Sequence, residues 1–197
     1  LVACARARRL GTGIELVKRW ADTSRKRLEN EENGDVQQVL HGDCRNLLAD
    51  MPDNSFDFVV TSPPYWSILR KDWDHKVRAE RKARGLSTRY SDDENDLGNL
   101  DSYESFLEEL AGVFRQCGRV LKPRRYMCVV VSDFRHKSKF VPYHSDVCRT
   151  IAPAGFSLEG ITILVQDSKN LYPYGVPFAF VSNIHHQYIL VFRRGKD

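Results

Sequence analysis

The chain has no run of about 18 uncharged apolar residues, so it offers no membrane-spanning helix. Cysteine is sparse, five in 197 residues, and no two form a CxxC pair. Cys4, Cys44, Cys117, Cys128 and Cys148 are odd in number and widely scattered. That argues against a disulfide framework or a zinc site and fits a reducing cytoplasm. Charge of one sign is also lacking: 30 Lys and Arg stand against 26 Asp and Glu, a net of +4. This mild excess permits nucleic acid as a partner without demanding it. No secretory leader is legible, because the arginines of LVACARARRLGTG follow the apolar residues instead of preceding them. The first residue is Leu, not Met, and no internal repeat is visible.

What is present is an alternation of apolar strands and amphipathic helices. With 42% hydrophobic residues, residues 1–197 are enough for one domain with a real core. The pattern predicts helix over Leu1 to Leu10, a turn at Gly11-Thr12-Gly13, a strand at Ile14-Glu15-Leu16 and helix from Val17 to Leu28. A strand follows from Val36 to His41, then a short helix from Cys44 to Met51, stopped by Pro52. Phe56 to Thr61 reads as a strand and Ser102 to Val120 as a long helix, with a turn at Lys122-Pro123. Tyr126 to Val131 is apolar and partly β-branched, as in a strand buried on both faces. Helix from His144 to Ala152 and strands at Leu158 to Val165 and Gln187 to Phe192 complete the chain. Strands separated by helices imply an α/β fold with a doubly wound, mostly parallel sheet.

One stretch departs from this rhythm. Arg70 to Arg89 carries eight basic residues against three acidic ones, and Asp92 to Asp96 then adds four acids. Residues 67–97 are expected to form a loop insertion. Its plain reading is a solvated excursion. The sharper one is a basic arm, with Arg78, Arg81, Lys82 and Arg84, that meets phosphate groups.

The chemistry concentrates at Thr61-Ser62-Pro63-Pro64-Tyr65-Trp66, at the carboxyl end of a strand expected to be buried, where open α/β sheets bind ligands. Two consecutive prolines have no N–H to donate and cannot extend a ladder, so they make a stiff turn with bare carbonyls. A hydroxyl, free carbonyls and an aromatic face together suit a flat ring bearing an amino group. The plainer alternative is a loop that only ends a strand and covers the core.

These residues resemble the signature of the exocyclic-amino DNA methyltransferases, which methylate cytosine or adenine amines with S-adenosylmethionine. The D/N/S-P-P-Y/F tetrapeptide stands here as Ser62-Pro63-Pro64-Tyr65. Val39 to Cys44, Leu47-Leu48, Met51 to Ser55 and Phe56-Asp57 resemble the family's approach to that motif. Tyr103 to Pro123, Tyr126 to Asp133 and the ending His186 to Arg194 resemble its long helix and core strands. The resemblance implies a Rossmann-like methyltransferase fold with an antiparallel last strand, S-adenosylmethionine as cofactor and double-stranded DNA as partner, with the base flipped. It implies catalytic roles for Ser62, Pro63, Pro64 and Tyr65, cofactor contacts at Glu15, Leu16, Asp43, Cys44 and Thr61, and substrate contacts at Tyr65, Trp66 and the four insertion cations. Glu15 matches the acid that bonds the cofactor ribose, and Asp43 the acid that faces its adenine amine. Read from the residues alone, Asp43 could equally cap the helix that begins at Cys44.

The family's FxGxG loop and the strand before it have no counterpart in the sequence. They are expected upstream of Leu1, on a partner chain or on a swapped strand. Ser at the first motif position resembles cytosine-N4 enzymes more than adenine-N6 enzymes. The rival readings are an RNA amino-methyltransferase and a non-catalytic nucleic-acid-binding subunit that keeps the fold. The histidines lack metal-ligand spacing, and Asp133 is placed either near the pocket or as a loop cap.

Overall fold

The core forms where three amphipathic elements meet one face of a sheet. In the computed structural model, which describes residues 1–66, 83, 91–173 and 175–196, the long helix Tyr103–Val120 (α4) starts at Ser102, whose hydroxyl accepts from Ser105 N at 2.9 Å. Its residues Phe106, Leu110, Phe114 and Cys117 recur at helical spacing and are buried. The helix Tyr143–Ile151 (α5) buries Tyr143, Val147 and Ile151 by the same rule. Both face alternate residues of the strand Leu121–Val131 (β4), where Met127, Val129 and Val131 are inaccessible to solvent; Tyr126 is exposed and Cys128 and Val130 are half-buried, so the strand is buried on one face and not, as its composition suggested, on both. The last strand, His186–Arg194 (β8), adds Leu190 and Phe192.

Before these elements come α1 (Val2–Arg6), β1 (Thr12–Glu15), α2 (Lys18–Leu28), β2 (Gln38–His41), α3 (Cys44–Ala49) and β3 (Phe56–Thr61). After β4 come a small hairpin, β5 (Phe134–His136) and β6 (Lys139–Val141), then α5 and β7 (Phe156–Val165). One sheet has the order β3-β4-β8-β7, with β3 parallel to β4 and β8 antiparallel to both of its neighbours. The parallel pair β1-β2 forms a separate sheet, and no ladder joins β1 to β3 among the described residues. Ile14 and the helix α3 nonetheless pack on the same core. This is a Rossmann-like α/β arrangement whose final strand runs against the rest.

Several boundaries differ from the sequence expectation for identifiable reasons. The first helix covers Val2–Arg6 only, because Arg8 turns to a positive φ of 52°. Gly11-Thr12-Gly13 is not a turn: the strand starts at Thr12, and a Cβ on Gly13 would lie 3.0 Å from Leu1 Cδ1. Lys122-Pro123 is no turn either but lies inside β4, where the register jumps from Phe56↔Leu121 to Phe58↔Tyr126. A proline cannot donate to a ladder, so the strand bulges there, with Arg124 at φ 62°. The β5-β6 hairpin was not legible in the sequence, because its turn puts Lys137 and Ser138 at positive φ without a glycine. Of the basic insertion, residues 67–82 and 84–90 lie outside the described residues, Arg78, Arg81, Lys82 and Arg84 among them. Its final part is tied down: Ser91 Oγ donates to Asp96 Oδ2 at 2.7 Å, and Asp96 and Leu97 are buried.

Phe114→Ala should destabilise the fold by ~3–5 kcal/mol, the usual cost of emptying a packed aromatic site. Phe58→Ala, on the sheet face where Phe58 is 52% exposed, should cost less than ~1.5 kcal/mol. Urea unfolding followed by far-ultraviolet dichroism separates the two.

Candidate active site

The backbone leaves β3 at Thr61, which sits opposite Val129 of β4. The next residue, Ser62, is therefore level with Val130, and its Oγ donates to the Val130 carbonyl at 2.9 Å. A hydroxyl has one proton. With that proton committed, Ser62 can only accept from anything else that approaches, and its side chain is exposed. Pro63 is buried beneath it. The Pro64 carbonyl is taken by the hydroxyl of Tyr143, at 2.9 Å, from a side chain with no solvent exposure.

The two aromatic residues that follow are held differently. The Tyr65 hydroxyl accepts from Gln187 Nε2 at 3.2 Å, and its ring tilts against Tyr143 with centroids 5.7 Å apart. Trp66 stands at φ 45°, donates its indole N–H to Leu100 O at 2.8 Å, and packs on Tyr103 and His136. Trp66 is thus fixed as a wall, while Tyr65 lies between Tyr143 and the start of β8.

Beside this turn, at the end of β4, lies a cluster that the sequence barely marks. Asp133 is 6% exposed. Its Oδ1 accepts from His144 Nδ1 at 2.7 Å and from His144 N at 3.2 Å, and its Oδ2 accepts from the Tyr188 hydroxyl at 3.1 Å. A carboxylate only accepts, which places the imidazole proton on Nδ1. The His144 and Tyr188 rings stack at 4.1 Å. Burial and the neighbouring Asp133 push the Tyr188 phenol above its ordinary pKa, so it remains a donor. The only sequence clue was Asp133 at a strand end; Tyr143, His144, Gln187 and Tyr188 carried no local signal.

Four of the five expected cofactor residues, Glu15, Leu16, Asp43 and Cys44, gather at the ends of β1 and β2. Glu15 pairs with His41 across β1-β2, and Gly42 N donates to Glu15 O at 3.0 Å. The strands thereby bring Glu15 and Asp43 to neighbouring ends. Glu15 Oε1 accepts from Val17 N at 2.9 Å, while Oε2 has no hydrogen-bond partner among the described residues. Leu16 lies just past the strand end, and Thr61 ends β3 on the other sheet. Asp43 caps α3, accepting from Arg45 N at 2.8 Å, and both its oxygens also hold the Arg45 guanidinium, Oδ2 at 2.6 Å from Nη2. Arg45 reaches on to Glu109 at 2.8 Å and to Asn95 O at 3.1 Å. Burial works to raise the Asp43 pKa, but the Arg45 hydrogen bonds outweigh it and leave the carboxyl below its usual range. Cys44 follows as the first residue of α3, its thiol pushed up mainly by burial. Among the described residues no group of His, Cys, Asp or Glu could hold a metal ion, and no helix is long and apolar enough to cross a membrane.

The model of the N6/N4 family, described as DNA methylase, matches residues 56–197. The chain belongs to the N6/N4 DNA methylase family. The type II methyltransferase M.MjaI of Methanocaldococcus jannaschii is 28% identical over 173 residues, covering 81% of this chain and 56% of its own length. TTHA0409 of Thermus thermophilus, described as a DNA modification methylase and solved in complex with S-adenosyl-L-methionine, superposes with a TM-score of 0.53. It is 28% identical, over 79% of this chain and 52% of that one. The cytosine-N4-specific PvuII DNA methyltransferase shares the fold, with a TM-score of 0.56 at 19% identity over 81% of this chain and 49% of its own. The chain spans between 14% and 56% of the length of the curated relatives it matches.

The Asp43–Arg45 pair has a pH consequence. A carboxyl held below its ordinary value stabilises the fold above its unfolded pKa, near 3.8, and loses that contribution as pH falls through the folded value. Stability should therefore drop on acidification below about pH 4, and Arg45→Gln should flatten that part of the curve. An unchanged acid limb of the thermal midpoint in Arg45→Gln would show that the pair carries none of it.

Proposed function

We propose that this chain is the catalytic part of a DNA methyltransferase. It moves a methyl group from S-adenosylmethionine to an exocyclic amine of a base rotated out of double-stranded DNA, with cytosine N4 favoured over adenine N6. The observation that carries this reading is the Ser62 hydroxyl, whose proton is committed to Val130 O. An exocyclic amine is a weak nucleophile because its lone pair is delocalised into the ring. Acceptors on its hydrogens favour the pyramidal form in which the lone pair is available. Ser62 Oγ, able only to accept, and the carbonyls of Ser62 and Pro63 supply that role. Pro64 acts as an anchor through Tyr143 instead. Tyr65 offers the face on which a flipped base stacks, and Trp66 forms the adjoining wall.

On the cofactor side, Glu15 fits a ribose diol, since one of its oxygens accepts no hydrogen bond from the described residues and a carboxylate suits two adjacent hydroxyl donors. When bound, S-adenosylmethionine supplies an electrophilic methyl group. Asp43 meets the adenine side only by sharing its oxygens with Arg45, so the neighbouring Cys44 N–H, a first-turn amide of α3, complements it there. Between β1 and β3, which share no ladder among the described residues, the reading places a further strand with a glycine-rich turn. Positioning and electrostatics then carry the rate, with no covalent enzyme intermediate. The insertion cations Arg78, Arg81, Lys82 and Arg84 are assigned to DNA phosphates.

Tyr65→Ala should slow methyl transfer by about 5- to 150-fold, the kinetic equivalent of ~1–3 kcal/mol of lost stacking, while leaving cofactor affinity nearly intact. Ser62→Ala should be milder, since carbonyl acceptors remain. The measurement is incorporation of labelled methyl into duplex DNA, and in parallel into RNA, by the form of the protein that binds S-adenosylmethionine. Wild-type rates in Tyr65→Ala would remove Tyr65 from the pocket. Transfer only to RNA would favour the RNA enzyme, and no transfer at all would favour a binding subunit. Neutralising the four insertion cations together should flatten the salt dependence of DNA binding, by about 0.9 in log–log slope for each phosphate that is no longer neutralised.

A further inference from the structure

The helix α5 begins at Pro142, whose side chain supplies no cap, yet its second residue is bonded twice to a buried carboxylate eleven positions back. Asp133 receives His144 N and His144 Nδ1 together on Oδ1, so it caps α5 from outside the helix while its negative charge meets the positive end of the helix dipole. The residue immediately before, Tyr143, sends its hydroxyl to Pro64 O. The other end of the circuit closes at Ser62, bonded to Val130 three residues ahead of Asp133 on the same stretch of chain. Ser62, Val130, Asp133, His144, Tyr143 and Pro64 therefore form a closed ring of contacts. The Ser62–Pro64 turn is one side of that ring, and α5 is held to β4 on the opposite side through Asp133 and His144.

We propose that His144 is a positioning residue for the Ser62–Tyr65 turn, acting through Asp133 and Tyr143 and not by touching the target base. The pair of hydrogen bonds to Asp133 sets where α5 begins, and that in turn sets where the Tyr143 hydroxyl meets Pro64. Without it the Pro64 anchor loosens, and Ser62–Val130, Gln187–Tyr65 and Trp66–Leu100 hold the two ends of the turn but not its middle, which sets the direction of the Ser62 lone pairs and the tilt of Tyr65 against Tyr143. Tyr188 holds the far oxygen of Asp133 and limits its rotation, so its hydroxyl contributes in the same sense with smaller effect. The consequence for methyl transfer rests on the reading of this turn as the target-binding element; the consequence for the turn's rigidity does not.

Nitrogen-15 relaxation of the whole chain tests the rigidity directly. His144→Ala should lower the backbone order parameters of Ser62, Tyr65 and Trp66 from about 0.85, typical of rigid backbone, to below about 0.6. Residues Phe106 to Phe114 and Met127 to Val131 should keep their wild-type values. His144→Asn, whose amide can donate where Nδ1 does, should restore the order, and Tyr188→Phe should give an intermediate effect. In methyl-transfer assays His144→Ala should lower kcat with KM for S-adenosylmethionine unchanged, and His144→Asn should recover kcat. Unaltered order at the turn in His144→Ala overturns the proposal, as does a loss of order that His144→Asn fails to rescue. A loss of order, rescued by Asn, in a protein that transfers no methyl group would uphold the positioning role and sink the methyltransferase reading instead.

Discussion

The turn that leaves β3 is made of residues that cannot be held by a sheet. Pro63 and Pro64 have no N–H, so past Thr61 the ladder that orders β3 against β4 has nothing to bond. Whatever geometry the turn has must come from side-chain hydrogen bonds to other elements. Among the described residues two reach out from the turn, Ser62 to Val130 and Trp66 to Leu100, and two reach in, Tyr143 to Pro64 and Gln187 to Tyr65. They tie it to β4, α5, β8 and the segment before α4. The arrangement of the core follows from the same need, since α5 must pack closely enough on β4 for a fully buried tyrosine to meet a carbonyl on the neighbouring strand's exit.

A second theme is the placement of carboxylates at strand ends. Asp43 and Asp133 both follow a strand and both accept a backbone N–H at a helix start, the first within its own helix and the second across a hairpin. In each case a cationic or donor side chain completes the site, Arg45 in one and His144 with Tyr188 in the other. Negative charge at a helix N-terminus is favoured by the aligned peptide dipoles, which makes a strand-to-helix junction a natural place to keep a buried acid. Glu15 differs: only one oxygen is engaged by a described residue, and that difference is why it, more than Asp43, suits a ligand hydroxyl pair.

The sequence by itself determined the strands other than the β5-β6 hairpin, the helices with a clear apolar period and the family. Those depend on local rules: the apolar, partly β-branched run in β4, the repeat of Phe106, Leu110 and Phe114 in α4 and the paired prolines after β3. It could not determine the ties that give the turn its shape, because their partners lie 79 residues apart for Tyr143–Pro64, 68 for Ser62–Val130 and 122 for Gln187–Tyr65. Nor could it choose between a ligand and a cap for Asp43, where the long reach of Arg45 to Glu109 decided how the carboxylate is shared. His144 carried no local signal for the same reason. A residue's periodicity reports which face of its element is buried, whereas the direction of a single hydrogen bond depends on how two remote elements are docked, and only the packed tertiary structure fixes that.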